Sequence, residues 1–143
     1  MTNILIIGAT GGIAREAIGL FEDRTDCTLT LYQRRPARGD IEHRVIIGDA
    51  TDEALLTRAM AGQDVVYANL SGNLPQQARA ITSAMDAAGV KRLIFILSMG
   101  IHDEVPGESY GSILDPYRHA AEVIAHSDLD YTILRPAWLN DKA

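Results

Sequence analysis

The sequence predicts an α/β protein built on a doubly wound parallel sheet of strand order 3-2-1-4-5-6. Three observations carry that expectation. A short apolar run, Asn3-Ile4-Leu5-Ile6-Ile7, stops at the glycine-rich stretch Gly8-Ala9-Thr10-Gly11-Gly12-Ile13-Ala14 and passes into a helical pattern. Short β-rich runs then alternate with amphipathic helical runs along the chain. Finally, Leu93-Ile94-Phe95-Ile96-Leu97 has no polar side, as a strand covered on both faces requires. Such alternation means right-handed β-α-β crossovers and a ligand crevice at the C-terminal strand ends, where the order reverses.

Each element has its own warrant. In residues 11–23, Ile13, Ala17, Ile18 and Phe21 fall at helical spacing, with Arg15, Glu16, Glu22 and Asp23 on the other side. Cys27-Thr28-Leu29-Thr30-Leu31-Tyr32 alternates as a second strand and closes at Gln33-Arg34-Arg35-Pro36. Arg44-Val45-Ile46-Ile47 is a third strand, ending in Gly48-Asp49-Ala50-Thr51-Asp52. Thr51 or Asp52 caps a helix over 53–61, and Gly62 ends it. Asp64-Val65-Val66-Tyr67-Ala68 is the fourth strand, with the outlet Asn69-Leu70-Ser71-Gly72. A helix over 76–88 carries Ala80, Ile81, Ala84, Met85 and Ala88 on one side and stops before Gly89. The apolar run 93–97 is the fifth strand, and Ser98 sits at its C-terminal end. Residues 101–114, aperiodic and containing Pro106, Gly107 and Gly111, read as a surface loop. Asp115-Pro116 opens a helix running to about His126, and Tyr131-Thr132-Ile133-Leu134 is the sixth strand.

Composition limits the partners. With 143 residues, 47% of them apolar, one domain with one core is expected. A net charge of -6 argues against an electrostatic hold on nucleic acid or on an anionic membrane, since both need clustered Lys and Arg. The N-terminal apolar run is too short for a signal peptide or a membrane span, and the one cysteine, Cys27, reads as a filler, so a cytoplasmic protein is expected. Asp103, Glu104 and Glu108 lack His or Cys partners at ligand spacing, which points to a solvated loop and no metal site.

The opening turn has the spacing G-x-x-G-x-x-A. A glycine turn aims the free N–H groups of the following helix at one point, and with the helix dipole this makes a seat for phosphate. Gly8 permits the sharp turn, Gly11 leaves room for a pyrophosphate, and Ala14 is small enough for helix to pack on strand.

With the glycine turn, Tyr32-Gln33-Arg34-Arg35-Pro36, Gly48-Asp49-Ala50-Thr51-Asp52, Gly89-Val90-Lys91-Arg92 and Leu129-Asp130-Tyr131-Thr132-Ile133-Leu134-Arg135-Pro136 in this order, the chain resembles the atypical short-chain dehydrogenase/reductases. More narrowly, it is similar to the NAD(P)H-binding branch containing NmrA-like regulators, biliverdin-reductase-B-like flavin reductases and NADH-flavin reductases. The resemblance covers nearly the whole chain. It implies a Rossmann domain whose glycine turn (Gly8, Thr10, Gly11, Gly12, Ile13) holds the pyrophosphate of a dinucleotide. By the same resemblance the second strand's end meets the adenosine ribose, and Asp49 with Ala50 lies beside the adenine, Asp49 accepting its amino group. Asn69, Leu70 and Ser71 would pass the riboses, and Ser98 would face the nicotinamide.

Charge decides the cofactor. A carboxylate at the end of the second strand repels a 2′-phosphate, whereas a guanidinium forms a charge-assisted fork with it. Here Arg34 and Arg35 stand without a carboxylate, so NADP(H) is expected over NAD(H). Arg15 can add to the pocket, while Arg38 reads as a solvated stem.

Relatives use a Tyr-x-x-x-Lys pair, in which lysine lowers the tyrosine pKa for proton transfer. The only lysines are Lys91 and Lys142; Leu114 follows Tyr110 by four residues and Ala121 follows Tyr117. Ser98 and Tyr117 are left as the catalytic candidates, with a structural tyrosine as the plainer reading of Tyr117, and His119 reads as a surface or packing residue. Family members also continue well beyond the Arg-Pro that here is Arg135-Pro136, so a shortened C-terminal part and an open substrate side are expected. An exposed edge strand there is compatible with a homodimer. The expected function is NADPH-dependent reduction of a small planar acceptor, flavin or quinone. The alternatives are a catalytically silent NADP(H)-binding sensor that regulates a protein partner, and, more weakly, a sugar-nucleotide epimerase or dehydratase.

Overall fold

A computed structural model describes residues 2–8, 12–24, 26–35, 43–97 and 115–135. The described chain runs β1 (Thr2–Ile7), α1 (Gly12–Glu22), β2 (Cys27–Gln33), β3 (Arg44–Ile47), α2 (Glu53–Met60), β4 (Val65–Asn69), α3 (Leu74–Ala88), β5 (Arg92–Ile96), α4 (Asp115–Ala125) and β6 (Asp130–Leu134). The strands form one parallel sheet of order β3-β2-β1-β4-β5-β6, as the sequence predicts. No helix among the described residues is long and apolar enough to cross a membrane.

Alternation along the strands divides the core into two layers. Leu5, Ile7, Tyr32, Val66, Ala68, Leu93 and Phe95 point to one face, where they meet Leu56, Ala59 and Met60 of α2, Ala78, Ile81, Ala84 and Met85 of α3, and Ala120 and Ile124 of α4. Ile4, Ile6, Leu29, Leu31, Tyr67 and Ile96 point to the other, where α1 covers them through Ala14, Ala17, Ile18 and Phe21. Each of the large apolar side chains fully buried this way contributes about 1.5–3 kcal/mol.

One boundary moves. The helix expected over 76–88 begins two residues earlier, at Leu74, with Pro75 in its first turn. Proline is tolerated there because that N–H has no intrahelical acceptor. The fourth strand likewise runs one residue further, to Asn69.

Register brings the functional end of the sheet to one level. Ile7 pairs with Tyr32 on one side and with Ala68 on the other, and Gln33 pairs with Ile47. The next positions are therefore Gly8, Gln33, Ile47 and Asn69, with Gly48 one residue beyond. The ladder continues across them: Gly8 N–H donates to the Tyr32 carbonyl and Gly48 N–H to the Gln33 carbonyl, each at 2.9 Å.

Candidate functional site

At those C-terminal strand ends, where β1 gives way to β4 and the strand order reverses, lies a cavity of about 720 Å³. That volume is in the range of small-molecule and cofactor pockets. Gly8 and Ile13 come from the turn and the start of α1, Gln33, Arg34 and Arg35 from the exit of β2, Gly48 and Ala50 from the exit of β3, and Asn69, Leu70 and Ser71 from the exit of β4. Ile7, Tyr32 and Gln77 complete the wall.

Gly8 has φ +81, a left-handed conformation that side chains disfavour. A Cβ there would collide with the Asn69 carbonyl oxygen and come within 3.1 Å of Leu70 Cδ2. Two strand exits thus approach each other so closely that only glycine fits, and both line the cavity.

Side-chain amides, Gln33 buried and Gln77 half-buried, brace both ends of the cavity. Gln33 is 5% exposed, and its Nε2 donates to the Arg35 carbonyl at 2.9 Å, fixing the turn that presents both arginines. At the other end Gln77 Nε2 donates to the Ser71 carbonyl at 3.1 Å. Gln77 Oε1 is buried without a hydrogen-bond partner among the described residues. An unpartnered acceptor in a cavity wall can take a hydrogen bond from water or from a ligand's donor.

The β3 exit is fixed by a second set of bonds. Tyr32, with its ring in the core, donates its hydroxyl to the Asp49 carbonyl at 2.7 Å. Burial, and secondarily the charges of Asp52 and Asp49, push its pKa up to about 12, so it remains a donor. Gly48 packs against this ring; a Cβ there would lie 2.6 Å from the Tyr32 hydroxyl. Asp49 Oδ1 accepts from the Thr51 N–H at 2.8 Å and the Thr51 hydroxyl at 2.6 Å. These bonds, the hydroxyl first, lower the Asp49 pKa, with a smaller contribution from Arg34. Asp49 Oδ2 faces Arg34 Nε at 3.8 Å. Asp52 caps α2 by accepting from the Leu55 N–H.

Of the residues singled out from the sequence, the cavity brings together Gly8, Ile13, Arg34, Arg35, Ala50, Asn69, Leu70 and Ser71, and Asp49 stands exposed beside it. Gly12 starts α1. Thr10, Gly11 and Ser98 lie outside the described residues. Tyr117 is half-buried on α4 against the larger core layer and is not among the lining residues. Besides Ile7, sequence reasoning missed Tyr32, Gln33, Gly48 and Gln77 as wall residues. The first three could have been found from strand register, since each occupies the end of a strand or the position after it. Among the described residues no group of three or more His, Cys, Asp or Glu side chains could hold a metal. A second hollow of about 480 Å³ lies on the outer side of α3 and α4, lined by Arg79, His119, Glu122, Val123 and His126, away from the strand ends.

A family described as NAD(P)H-binding matches residues 8–143. Among solved structures, a Rossmann-fold NAD(P)-binding family protein from Shigella flexneri is 46% identical, with a TM-score of 0.83 over 99% of this chain and 70% of that one. A short-chain dehydrogenase/reductase from Veillonella parvula in complex with NADP is 27% identical, with a TM-score of 0.81 over 99% of this chain and 72% of its own. A curated relative from Streptomyces griseus, a (4-alkanoyl-5-oxo-2,5-dihydrofuran-3-yl)methyl phosphate reductase, is 29% identical over 93% of this chain; the chain spans 46% of its length. An uncharacterized sugar epimerase of Bacillus subtilis is 25% identical over 97% of this chain and 73% of its own.

Proposed function

The chain belongs to the NAD(P)H-binding family of atypical short-chain dehydrogenase/reductase-like proteins, and from that premise we propose that it is an NADP(H)-dependent oxidoreductase acting on a small planar acceptor, a flavin or a quinone. The observation that carries this reading is the pair Arg34 and Arg35 at one end of the cavity, on a turn held by the buried Gln33 amide. Guanidinium groups at the exit of β2 suit a 2′-phosphate on the adenosine ribose. Gly8 and the start of α1 suit the pyrophosphate, and the unpartnered Gln77 Oε1 suits a ribose hydroxyl. The NADP complex of the Veillonella parvula relative and the reductase activity named for the Streptomyces griseus one support the same reading.

When bound, the dihydronicotinamide supplies a hydride. The chain's own contribution is to hold the dinucleotide across the strand ends, where a flat acceptor would stack on it. Transfer to a flavin or quinone needs stacking and orientation more than a dedicated proton relay. This agrees with Ala121 standing where a lysine would pair with Tyr117.

The test is fluorescence titration with NADPH and NADH, followed by NADPH oxidation with flavin and quinone acceptors. Binding with turnover on at least one acceptor is expected. Tight NADPH binding without turnover on any acceptor would instead favour a silent NADP(H)-binding sensor, which the missing lysine also suits. Arg34→Ala should weaken NADPH roughly 10- to 100-fold, the worth of charge-assisted hydrogen bonds, and NADH far less. Equal losses for both would show that Arg34 does not read the 2′-phosphate.

A further inference from the structure

We propose that Asp49 is a specificity-determining residue: its fixed carboxylate engages Arg34 and opposes a 2′-phosphate, narrowing the preference for NADPH over NADH. The inference rests on the reading above, that Arg34 meets the adenosine end of the dinucleotide.

The two members of this ion pair are not equally anchored. Asp49 Oδ1 accepts both bonds from Thr51, its carbonyl accepts the Tyr32 hydroxyl, and the next residue, Ala50, is buried in the core. The Arg34 side chain is 79% exposed, so the carboxylate is the fixed partner. The Thr51 bonds leave Oδ2 turned toward Arg34 Nε at 3.8 Å, an ion-pair distance that is too long for a hydrogen bond.

A 2′-phosphate seeking the same guanidinium meets two obstacles. It competes with a carboxylate already paired to Arg34, and it brings negative charge toward a negative group that cannot turn away. NADH, with hydroxyls there, meets neither. The bonds that hold Asp49 also keep it ionised, so the opposition persists at neutral pH. No other role for the carboxylate is needed: an adenine contact through Oδ2 would affect both dinucleotides alike and would cancel in their ratio.

Asp49→Asn removes the charge while keeping an Oδ1 acceptor for Thr51. In the variant, the ratio of NADH to NADPH dissociation constants should rise roughly two- to fivefold, as expected for a solvent-exposed ion pair, with the gain on the NADPH side. The same shift should appear with the adenosine-end fragments 2′,5′-ADP and 5′-AMP. Asp49→Ser, whose hydroxyl can take over the turn hydrogen bond, gives the same readout should the Asn variant fail to fold. An unchanged ratio, or one that falls because Asp49 aims Arg34 at the phosphate, would overturn the proposal. If the wild-type protein binds neither dinucleotide, the functional reading itself fails, an outcome separate from an unaltered ratio in a protein that binds both.

Discussion

Gly8 and Gly62 offer a matched pair for measuring what the closest approach in the site is worth. Both adopt nearly the same left-handed backbone, φ +81 and φ +79. A Cβ at Gly62 meets nothing within 4 Å, whereas at Gly8 it meets the Asn69 carbonyl and Leu70. Gly62→Ala therefore isolates the conformational cost, about 1 kcal/mol after the gain from a stiffer unfolded chain. Gly8→Ala carries that cost plus overpacking against a backbone carbonyl that cannot rotate away, a further ~1–3 kcal/mol. The total is about 2–4 kcal/mol. In urea, with a slope of about 2 kcal/mol per molar, the midpoint of Gly8→Ala should fall by roughly 1–2 M and that of Gly62→Ala by about half a molar. Because the Gly8 contact joins β1 to the exit of β4, NADPH affinity should drop in Gly8→Ala and hold in Gly62→Ala. Equal destabilisation by the two substitutions would refute the close approach, and with it the account of how β1 and the exit of β4 meet at the cavity.

Other expectations are quickly checked. Thr51→Ala removes the leading cause of the lowered Asp49 pKa, so NMR titration should find that pKa nearer the ordinary carboxylate value of 3.8. Since the folded pKa lies below the unfolded one, this contribution to stability is present above pH 3.8 and fades as the pH falls through the folded value. Wild type and Thr51→Ala should therefore converge in acid. Asp52→Ala should cost about 1 kcal/mol through the lost cap of α2, read from thermal or urea unfolding. Tyr117→Phe should leave NADPH oxidation within about tenfold of wild type; a loss of ~100-fold or more would assign Tyr117 the proton-transfer role.

The sheet was legible in the sequence because its strands are short apolar runs of one period, and their order follows from alternation with helices. Gly8, the arginines after β2 and the outlet of β4, which line the cavity, were legible for a related reason: ligand sites in such sheets fall at strand ends. The bonds by which Gln33, Tyr32 and Gln77 act were not, since each runs to a backbone carbonyl of a segment fixed only in the folded chain. The Asp49–Arg34 pair, 15 positions apart in sequence, becomes visible only when β2 and β3 are laid side by side.

The unequal dressing of the sheet has a practical bearing on handling the protein. Among the described residues, α1 is the sole helix over Ile4, Ile6, Leu29 and Leu31, while three share the opposite side. Its first turn also borders the cavity through Ile13. Anything seated there would pin the helix down, and its departure would loosen the cover over an aliphatic surface suited to sticking to other molecules. Purification and storage with a dinucleotide present should accordingly suppress clumping, with the benefit traceable to protease protection of α1.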